Sequence, residues 1–318
     1  MTDAEPARPV AALTGGTGFI GQHVAAALAA AGWKVRLLCR RDIVSPRLAD
    51  VTPELVLGDL ADPAALRRLV AGATAVVHLA GLTKARNRDG FMQVNRDGTA
   101  LLARTVAAEN PAARCVLVSS LAAREPALSA YAASKRAGED VVGPAWTILR
   151  PGVVYGPGDQ EGRALQRLAM APFAARVRAP AVKLAMVHAT DLAEAIAALC
   201  ADDVAGGRYE IADHRPEGYG MEEILHLVAE LLGRRPPRMV TLPDHVFNLA
   251  GMAADGFALA TGRQGIFGYG KTRELLHRDW SVRPGDTIPR GLWTPRISLA
   301  AGMQDTLRWW QTHSSRTH

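Results

Sequence analysis

Cysteine is scarce in this sequence: Cys39, Cys115 and Cys200 are the only three among 318 residues, and they stand far apart. Three scattered thiols have neither the paired spacing of a metal site nor the density of a disulfide scaffold, so no metal is expected and a reducing compartment fits. Long apolar runs are missing too. No uninterrupted stretch approaches the roughly 20 residues that a membrane span needs, and the polar start MTDAEPARP lacks the apolar core and cleavage site of a secretory signal. The expected location is therefore cytoplasmic, with the inner face of the membrane as the place of any peripheral contact. Long blocks of like charge and internal repeats are also lacking, which argues against a dedicated nucleic-acid surface or a repeat architecture.

What remains is the composition of a soluble globular protein, 48% hydrophobic and 21% charged. A chain of this length can bury one large core and carry a smaller lobe beside it. The formal net charge of +6 suits an anionic partner such as a phosphate-bearing cofactor.

The most informative stretch is VAALTGGTGFIG, residues 10–21. An apolar run ends at Thr14, glycines follow at Gly15, Gly18 and Gly21, and an alanine-rich helical run begins at once. This is the strand, turn, helix order of a dinucleotide-binding βαβ unit. Gly15 permits the tight turn, Gly18 lets backbone approach a pyrophosphate, and Gly21 lets the helix pack closely on the strand. Thr17, Phe19 and Ile20 complete the turn, and the diphosphate would rest on the helix N-terminus, where free amides and the dipole favour an anion.

The next apolar run, residues 34–39, ends at Cys39, where NAD-binding units carry an acid for the ribose hydroxyls. Here Arg40 and Arg41 follow. Arginine at this point favours the 2′-phosphate of NADPH over NADH, although two solvated arginines at a strand end would look the same. Asp59, after Gly58 and before Leu60, could accept from the adenine amino group or serve as an ordinary turn residue. Leu79, Ala80 and Gly81 end the run that starts at Ala75, and the cofactor is expected to pass there. His78 lies inside that run and reads as structural. The basic loop Lys84, Arg86 and Arg88 reads as solvated or as binding an anionic group of the substrate.

Residues 113–118 form a further apolar run and deliver Ser119 and Ser120 to the carboxyl end of the expected sheet, where ligands bind in open α/β folds. Tyr131 stands eleven residues beyond Ser120, and Lys135 follows at i+4, on the same helix face. A tyrosine with its ordinary pKa near 10 is a poor acid-base group, and a neighbouring cation is expected to favour its anion. Serine, tyrosine and lysine so placed can pass a proton to or from a carbonyl oxygen while hydride moves to or from a nicotinamide.

TGGTGFIG, GDL at 58–60, HLAG at 78–81, Asn95, VSS at 118–120, YAASK at 131–135 and RPGVVYGPGD at 150–159 resemble, in that order, the motifs of the extended and atypical short-chain dehydrogenase/reductases. The resemblance covers residues 10–215 well and the remainder loosely. It implies a Rossmann-type α/β fold, a doubly wound parallel sheet with a smaller C-terminal substrate lobe. The expected division is residues 1–155 for the dinucleotide, with a returning strand and helix near 182–212, and 156–318 for the substrate. It further implies Tyr131 as the acid-base, Lys135 as a partner of that tyrosine and of the nicotinamide ribose, and Ser120 rather than Ser119 as the serine that holds the substrate oxygen. Backbone at Pro151 and Val153 would border the nicotinamide.

Sugar-nucleotide epimerases and dehydratases carry a Val-Tyr-Gly soon after the serine and a longer span to the tyrosine. This chain has Leu121-Ala-Ala-Arg-Glu-Pro instead. The run 246–261, VFNLAGMAADGFALAT, is unusually apolar for a lobe that grips a sugar nucleotide; it reads as core packing or as a surface for an acyl chain. Together with a similarity to members related to a respiratory complex I accessory subunit, these features imply an NADPH-dependent reductase of a lipid ketone such as the 3-oxoceramide of bacterial ceramide reductases. A sugar-nucleotide epimerase or dehydratase and a non-catalytic NADPH-binding assembly protein are the competing readings. Oligomeric state is not legible.

Overall fold

The computed structural model describes residues 8–41, 48–85, 87–177, 182–202, 206–261 and 268–313. Arg86 and the last five residues of the tail lie outside the described residues. Strands β1 (Val10–Thr14), β2 (Lys34–Cys39), β3 (Glu54–Leu57), β4 (Ala75–His78), β5 (Arg114–Val118) and β6 (Trp146–Pro151), with the strand Arg208–Ile211, form one sheet. From one edge the order is Arg208–Ile211, β6, β5, β4, β1, β2, β3, and every pair is parallel. Near-continuous Val, Leu and Ala runs suit strands covered on both faces.

Alternation along the strands sends neighbours to opposite layers. Leu13, Leu37, Val77 and Val116 face helix α1 (Phe19–Ala30) and the helix Ala189–Ala201, whose Val24, Ala25, Leu28, Leu192, Ile196 and Leu199 complete that core. Ala12, Val76 and Leu117 face the other way, onto Leu66 and Leu69 of α2 (Pro63–Val70) and Leu102 and Val106 farther along the chain. Asp62 caps α2 through its carboxylate, which accepts from the amides of Ala64 and Ala65 at 2.9 and 3.0 Å, with Pro63 at the first helical position.

The return of the chain to the sheet at Arg208–Ile211 places the segment 189–211 with the dinucleotide layer, although it follows the first lobe elements in sequence. The lobe has its own core, built from Met186, Leu225, Val228, Trp280, Met303 and Trp310, among others. Two local features are decided by contacts distant in sequence. The segment 163–175 is not one helical piece: helix Arg163–Ala169 gives way to strand Phe173–Val177, which pairs in parallel with Arg238–Leu242. The N-cap of the helix Ala189–Ala201 is His188, whose Nδ1 accepts from the Thr190 amide at 3.3 Å, while Asp191 is buried and accepts from the amides of Arg296 and Ile297 at 3.1 and 2.9 Å. The apolar run of residues 246–261 lies in the helix Asp244–Thr261, and Leu249, Met252 and Phe257 stand on its surface rather than in a core.

Candidate active site

The strand order reverses between β1 and β4, and the glycine turn opens at that switch point. Gly15 has φ +72°, and a Cβ there would stand 2.6 Å from the Ala80 nitrogen, so only glycine lets the turn lie against the end of β4. A Cβ on Gly21 would meet the Gly15 carbonyl oxygen at 2.1 Å. Helix α1 starts behind Gly18 with no side-chain cap, so its first amides face the carboxyl end of the sheet without a partner from a capping side chain. These residues fit a dinucleotide: the glycine cradle is open where a diphosphate must approach, and the uncapped helix end supplies donors for it. Gly21→Ala is expected to cost about 1–3 kcal/mol, as overpacking against rigid backbone does. A thermal melt, read with and without added dinucleotide, checks it; an unchanged melt in both arms would refute the packing role.

Beneath the turn runs a buried relay. The Thr14 hydroxyl lies 2.6 Å from His78 Nδ1 and accepts from the Ala80 amide at 3.3 Å. His78 Nε2 lies 2.8 Å from the Thr99 hydroxyl, which donates to the Asn95 carbonyl at 2.8 Å. Every group is satisfied when Nε2 carries the proton and Nδ1 accepts. Burial, then the charge of Lys135, hold the imidazole down to about 3, so it stays neutral. His78 thus has the structural role read from sequence.

Asn95 does not begin a helix. It sits inside a π-helical turn, Gln93–Gly98, between α3 (Arg88–Met92) and α4 (Thr99–Glu109). Its side chain accepts from the Leu82 amide at 2.7 Å and donates to the Leu82 carbonyl at 3.0 Å and to Ser134 Oγ at 2.9 Å. The wide turn, a feature that recurs at functional sites, ties the loop after β4 to α5 (Ala130–Asp140).

Helix α5 carries Tyr131 and Lys135. Ser129 caps it by accepting from the Ala132 amide at 2.9 Å. Ser120 follows β5 and lies near enough to the Tyr131 phenol to lower its pKa; its oxygen accepts from the Ala122 amide at 3.2 Å. Ser119 is turned away, donating to Glu139 at 2.6 Å. Of the two serines, only Ser120 therefore faces the tyrosine. Lys135 Nζ donates to the Val118 carbonyl at 2.8 Å and would lie 3.8 Å from a Cβ built on Gly81, which brings lysine, Gly81 and Asn95 to one place.

The electrostatics differ from the sequence expectation. Burial pushes the Tyr131 phenol up to about 12, with Ser120 working the other way and the carboxylates of Glu274 and Glu161 adding to the rise. Burial also brings Lys135 down to about 8, against the pull of Glu139. The phenol of the chain alone is thus a protonated acid, not a tyrosinate drawn out by lysine.

At the far end of the cradle, Arg40 and Arg41 are exposed just past β2, and neither guanidinium pairs with a described residue. Asp59 is exposed, and its Oδ1 accepts from the Ala61 amide at 2.8 Å, the geometry of a turn residue. Leu60 packs against Gly98. Thr17 accepts from Gln22 through its carbonyl at 2.8 Å, and Phe19 meets His23 edge to face, with Ile20 packed on the α1 core. Leu79 and Ala80 lie under Gly15, Pro151 is buried at the end of β6, and Val153 is exposed beyond it. Lys84 pairs with Glu161 at 2.7 Å, so the basic loop is partly neutralised.

Sequence reading missed two groups. Phe91 of α3 lies edge-on to Tyr131, ring centroids 6.1 Å apart, and closes one side of the site. Glu139, eight residues after Tyr131 on the same helix, is buried and accepts from Arg150 Nε at 2.8 Å and Nη2 at 2.6 Å. Arg150 approaches Glu210 at 3.8 Å, and Glu210 accepts from Arg124 at 3.1 Å. Arg124 continues to the carbonyls of Ser281 and Asp279 at 2.8 and 3.0 Å. This chain of charges fastens β5, α5 and β6 to the lobe. A Tyr-x-x-x-Lys-x-x-x-Glu spacing was its only sequence sign.

Comparison with known proteins agrees with this architecture. Residues 11–212 match the NAD dependent epimerase/dehydratase family. A ceramide reductase of Caulobacter vibrioides (strain NA1000 / CB15N) is 44% identical over 97% of this chain and 96% of its own. Subunit 9 of the mitochondrial NADH dehydrogenase [ubiquinone] 1 alpha subcomplex of Arabidopsis thaliana is 28% identical over 74% of this chain and 60% of its own. Among solved structures, the dTDP-glucose 4,6-dehydratase DesIV of Streptomyces venezuelae, with NAD and TYD bound, superposes with a TM-score of 0.71 at 22% identity, covering 96% of this chain and 98% of that one. On the full-length match to the reductase and the family match across the sheet domain, this chain is an NAD(P)-dependent oxidoreductase and belongs to the NAD dependent epimerase/dehydratase family.

Proposed function

We propose that the chain reduces the ketone of a sphingoid lipid, such as 3-oxoceramide, with NADPH. The observation that carries this reading is the placing of Tyr131 and Lys135 on α5 at the carboxyl end of the sheet, the Lys135 amine beside Gly81 and the buried phenol raised to about 12. Reduction of a ketone needs an acid at that place, since the carbonyl oxygen must gain a proton as its carbon gains hydride. When bound, the nicotinamide supplies the hydride. Ser120 donates to the carbonyl oxygen and orients it, Tyr131 delivers the proton, and Lys135, charged at neutral pH, lies beside Gly81 where the ribose would pass. Phe91 keeps water from one side of the phenol. The lipid assignment is supported by the 44% identity to the Caulobacter reductase over nearly the whole chain.

The test is turnover of 3-oxoceramide in detergent with NADPH or NADH, followed by nicotinamide absorbance and by mass of the alcohol. Formation of ceramide with NADPH is the expected result. Tightly retained NAD together with turnover of a UDP-sugar, and no ketone reduction, would overturn it. The NADPH preference is supported by Arg40 and Arg41, both exposed and without an ionic partner among the described residues at the end of β2. A charge-assisted contact is worth about 1.5–3 kcal/mol, so Arg40→Ala is expected to raise KM for NADPH about 10- to 100-fold and leave KM for NADH unchanged. Equal effects on both cofactors would remove the arginine from the 2′-phosphate.

A further inference from the structure

The helix Asp244–Thr261 carries a broad apolar surface that no part of the described chain covers. Leu249 and Phe257 are each 63% exposed and Met252 57%. At 100° per residue, Val246, Leu249, Ala250, Met252, Ala253, Gly256 and Phe257 occupy an arc of about 160°, and all seven are exposed, Val246 at 37%. His245 stands near the rim. The helix's two acids lie off this arc and are engaged by the chain itself: Asp244 pairs with Arg278 at 2.8 Å, and Asp255 accepts from the Tyr269 amide at 2.8 Å.

The ribbon that precedes the helix has an exposed apolar face of its own. Phe173 pairs directly with Arg238, and Ala175 with Val240. By the two-residue period of a strand, these four side chains share one face, and Phe173 is 57% and Val240 42% exposed. Basic charge adjoins this apolar face. Arg234, Arg235 and Arg238 are exposed, none pairs with a described carboxylate, and Glu230 is the single acid between positions 224 and 243. An exposed apolar helix face beside unpaired arginines is the pattern of a segment that lies in the interface of an anionic bilayer, its side chains in the acyl boundary and its cations at the headgroups. A second copy of the chain would bring the same three arginines toward one another, so charge favours the bilayer over self-association.

We propose that this face, the outer side of Asp244–Thr261 with Phe173, Val240 and the arginines beside it, docks on an anionic phospholipid surface. The inner side of the same helix leads to the active site. Gly251 packs on Thr272 of the helix Tyr269–Leu276, and that helix holds the start of α5, with Arg273 donating to the Ala127 carbonyl at 2.9 Å and Glu274 hydrogen-bonded to Ser129. Docking would therefore set the tyrosine about two helix layers, roughly 20 Å, from the bilayer, so a lipid ketone would leave the acyl boundary to meet it. That last step rests on the lipid reading; the docking itself does not.

Co-sedimentation of the full chain with vesicles tests the docking. Binding is expected to phosphatidylglycerol-containing vesicles, to weaken strongly in phosphatidylcholine alone and at high salt, and to fall about fivefold for each arginine neutralised in Arg234→Gln, Arg235→Gln and Arg238→Gln. The triple variant Leu249→Asp, Met252→Asp, Phe257→Asp is expected to lose vesicle binding while keeping its melt and its turnover of detergent-dispersed ketone. Wild-type chain that stays in the supernatant, or a triple variant that binds as well as wild type, overturns the proposal. So does a dimer on size exclusion that the triple variant converts to monomer without any vesicle binding by wild type. Vesicle binding by a chain that reduces no ketone would uphold the docking and reject the substrate, so the two failures are distinct.

Discussion

Tyr131→Phe is expected to lower ketone turnover by about 10²- to 10⁴-fold, the range that one positioned proton donor contributes, and to leave dinucleotide binding within a few-fold of wild type. The substitution keeps the ring, its contact with Phe91 and its packing near the lobe core; only the hydroxyl and its proton are removed. The loss should therefore fall on kcat and not on KM for the cofactor. The pH profile supplies a second reading. With the phenol pushed up to about 12, no tyrosine ionisation interrupts the reductive direction at ordinary pH, and the first group to change as pH rises is Lys135, near 8, which goes from charged to neutral. In kcat/KM for the cofactor, which reports groups of the free protein, the alkaline fall should centre near that value. Stopped-flow hydride transfer with wild type and variant decides the matter: undiminished turnover by the Tyr131→Phe variant would assign the proton to another donor.

The second large effect is on stability. Glu139→Ala removes the carboxylate that accepts from Ser119 and twice from Arg150, and that lies 3.5 Å from Arg208. Arg150 is 4% exposed, and without Glu139 its closest carboxylate is that of Glu210 at 3.8 Å. An uncompensated buried charge costs about 3–5 kcal/mol. The expected result is a fall in Tm of several degrees, at roughly 2–4 °C per kcal/mol for a chain somewhat smaller than this one, with Ser119 released from its hold. Glu139→Gln should recover part of the loss, since an amide can still accept from Arg150 but carries no charge. Differential scanning calorimetry reads both, and a Glu139→Ala melt indistinguishable from wild type would mean that water replaces the carboxylate and that the charge chain does not fasten sheet to lobe.

How much of this was legible in the sequence follows from how local each signal is. The glycine turn, the Asp62-Pro63 start of α2 and the i+4 pairing of Tyr131 with Lys135 are set by neighbours a few residues apart, and the structure places them as spacing suggests. The preference for Ser120 over Ser119 came from the resemblance, because its physical basis is Glu139, twenty residues away, which takes up Ser119. The rise of the Tyr131 pKa could not be read at all, since burial sets it and carboxylates distant in sequence, Glu274 and Glu161, add to it. In the lobe, the parallel pairing of Phe173–Val177 with Arg238–Leu242 spans more than sixty positions and follows no short-range rule. The helix Asp244–Thr261 shows the limit most plainly: its apolar residues imply burial, yet its outer face is left to whatever the chain meets outside itself.

The late position of the helix Ala189–Ala201 bears on how the chain emerges from the ribosome. Each residue of the glycine cradle and of the serine, tyrosine and lysine group has been synthesised well before this helix, yet the core around Val24, Ala25 and Leu28 of α1 is completed only by its Leu192, Ile196 and Leu199. Through that interval the nascent N-terminal half carries the residues proposed to hold the cofactor, while part of the apolar side of α1 is bare. Exposed surface of that kind is a substrate for chaperones and a seed for aggregation. A chain stalled short of residue 201 therefore carries its site motifs without the helix that completes the core around them.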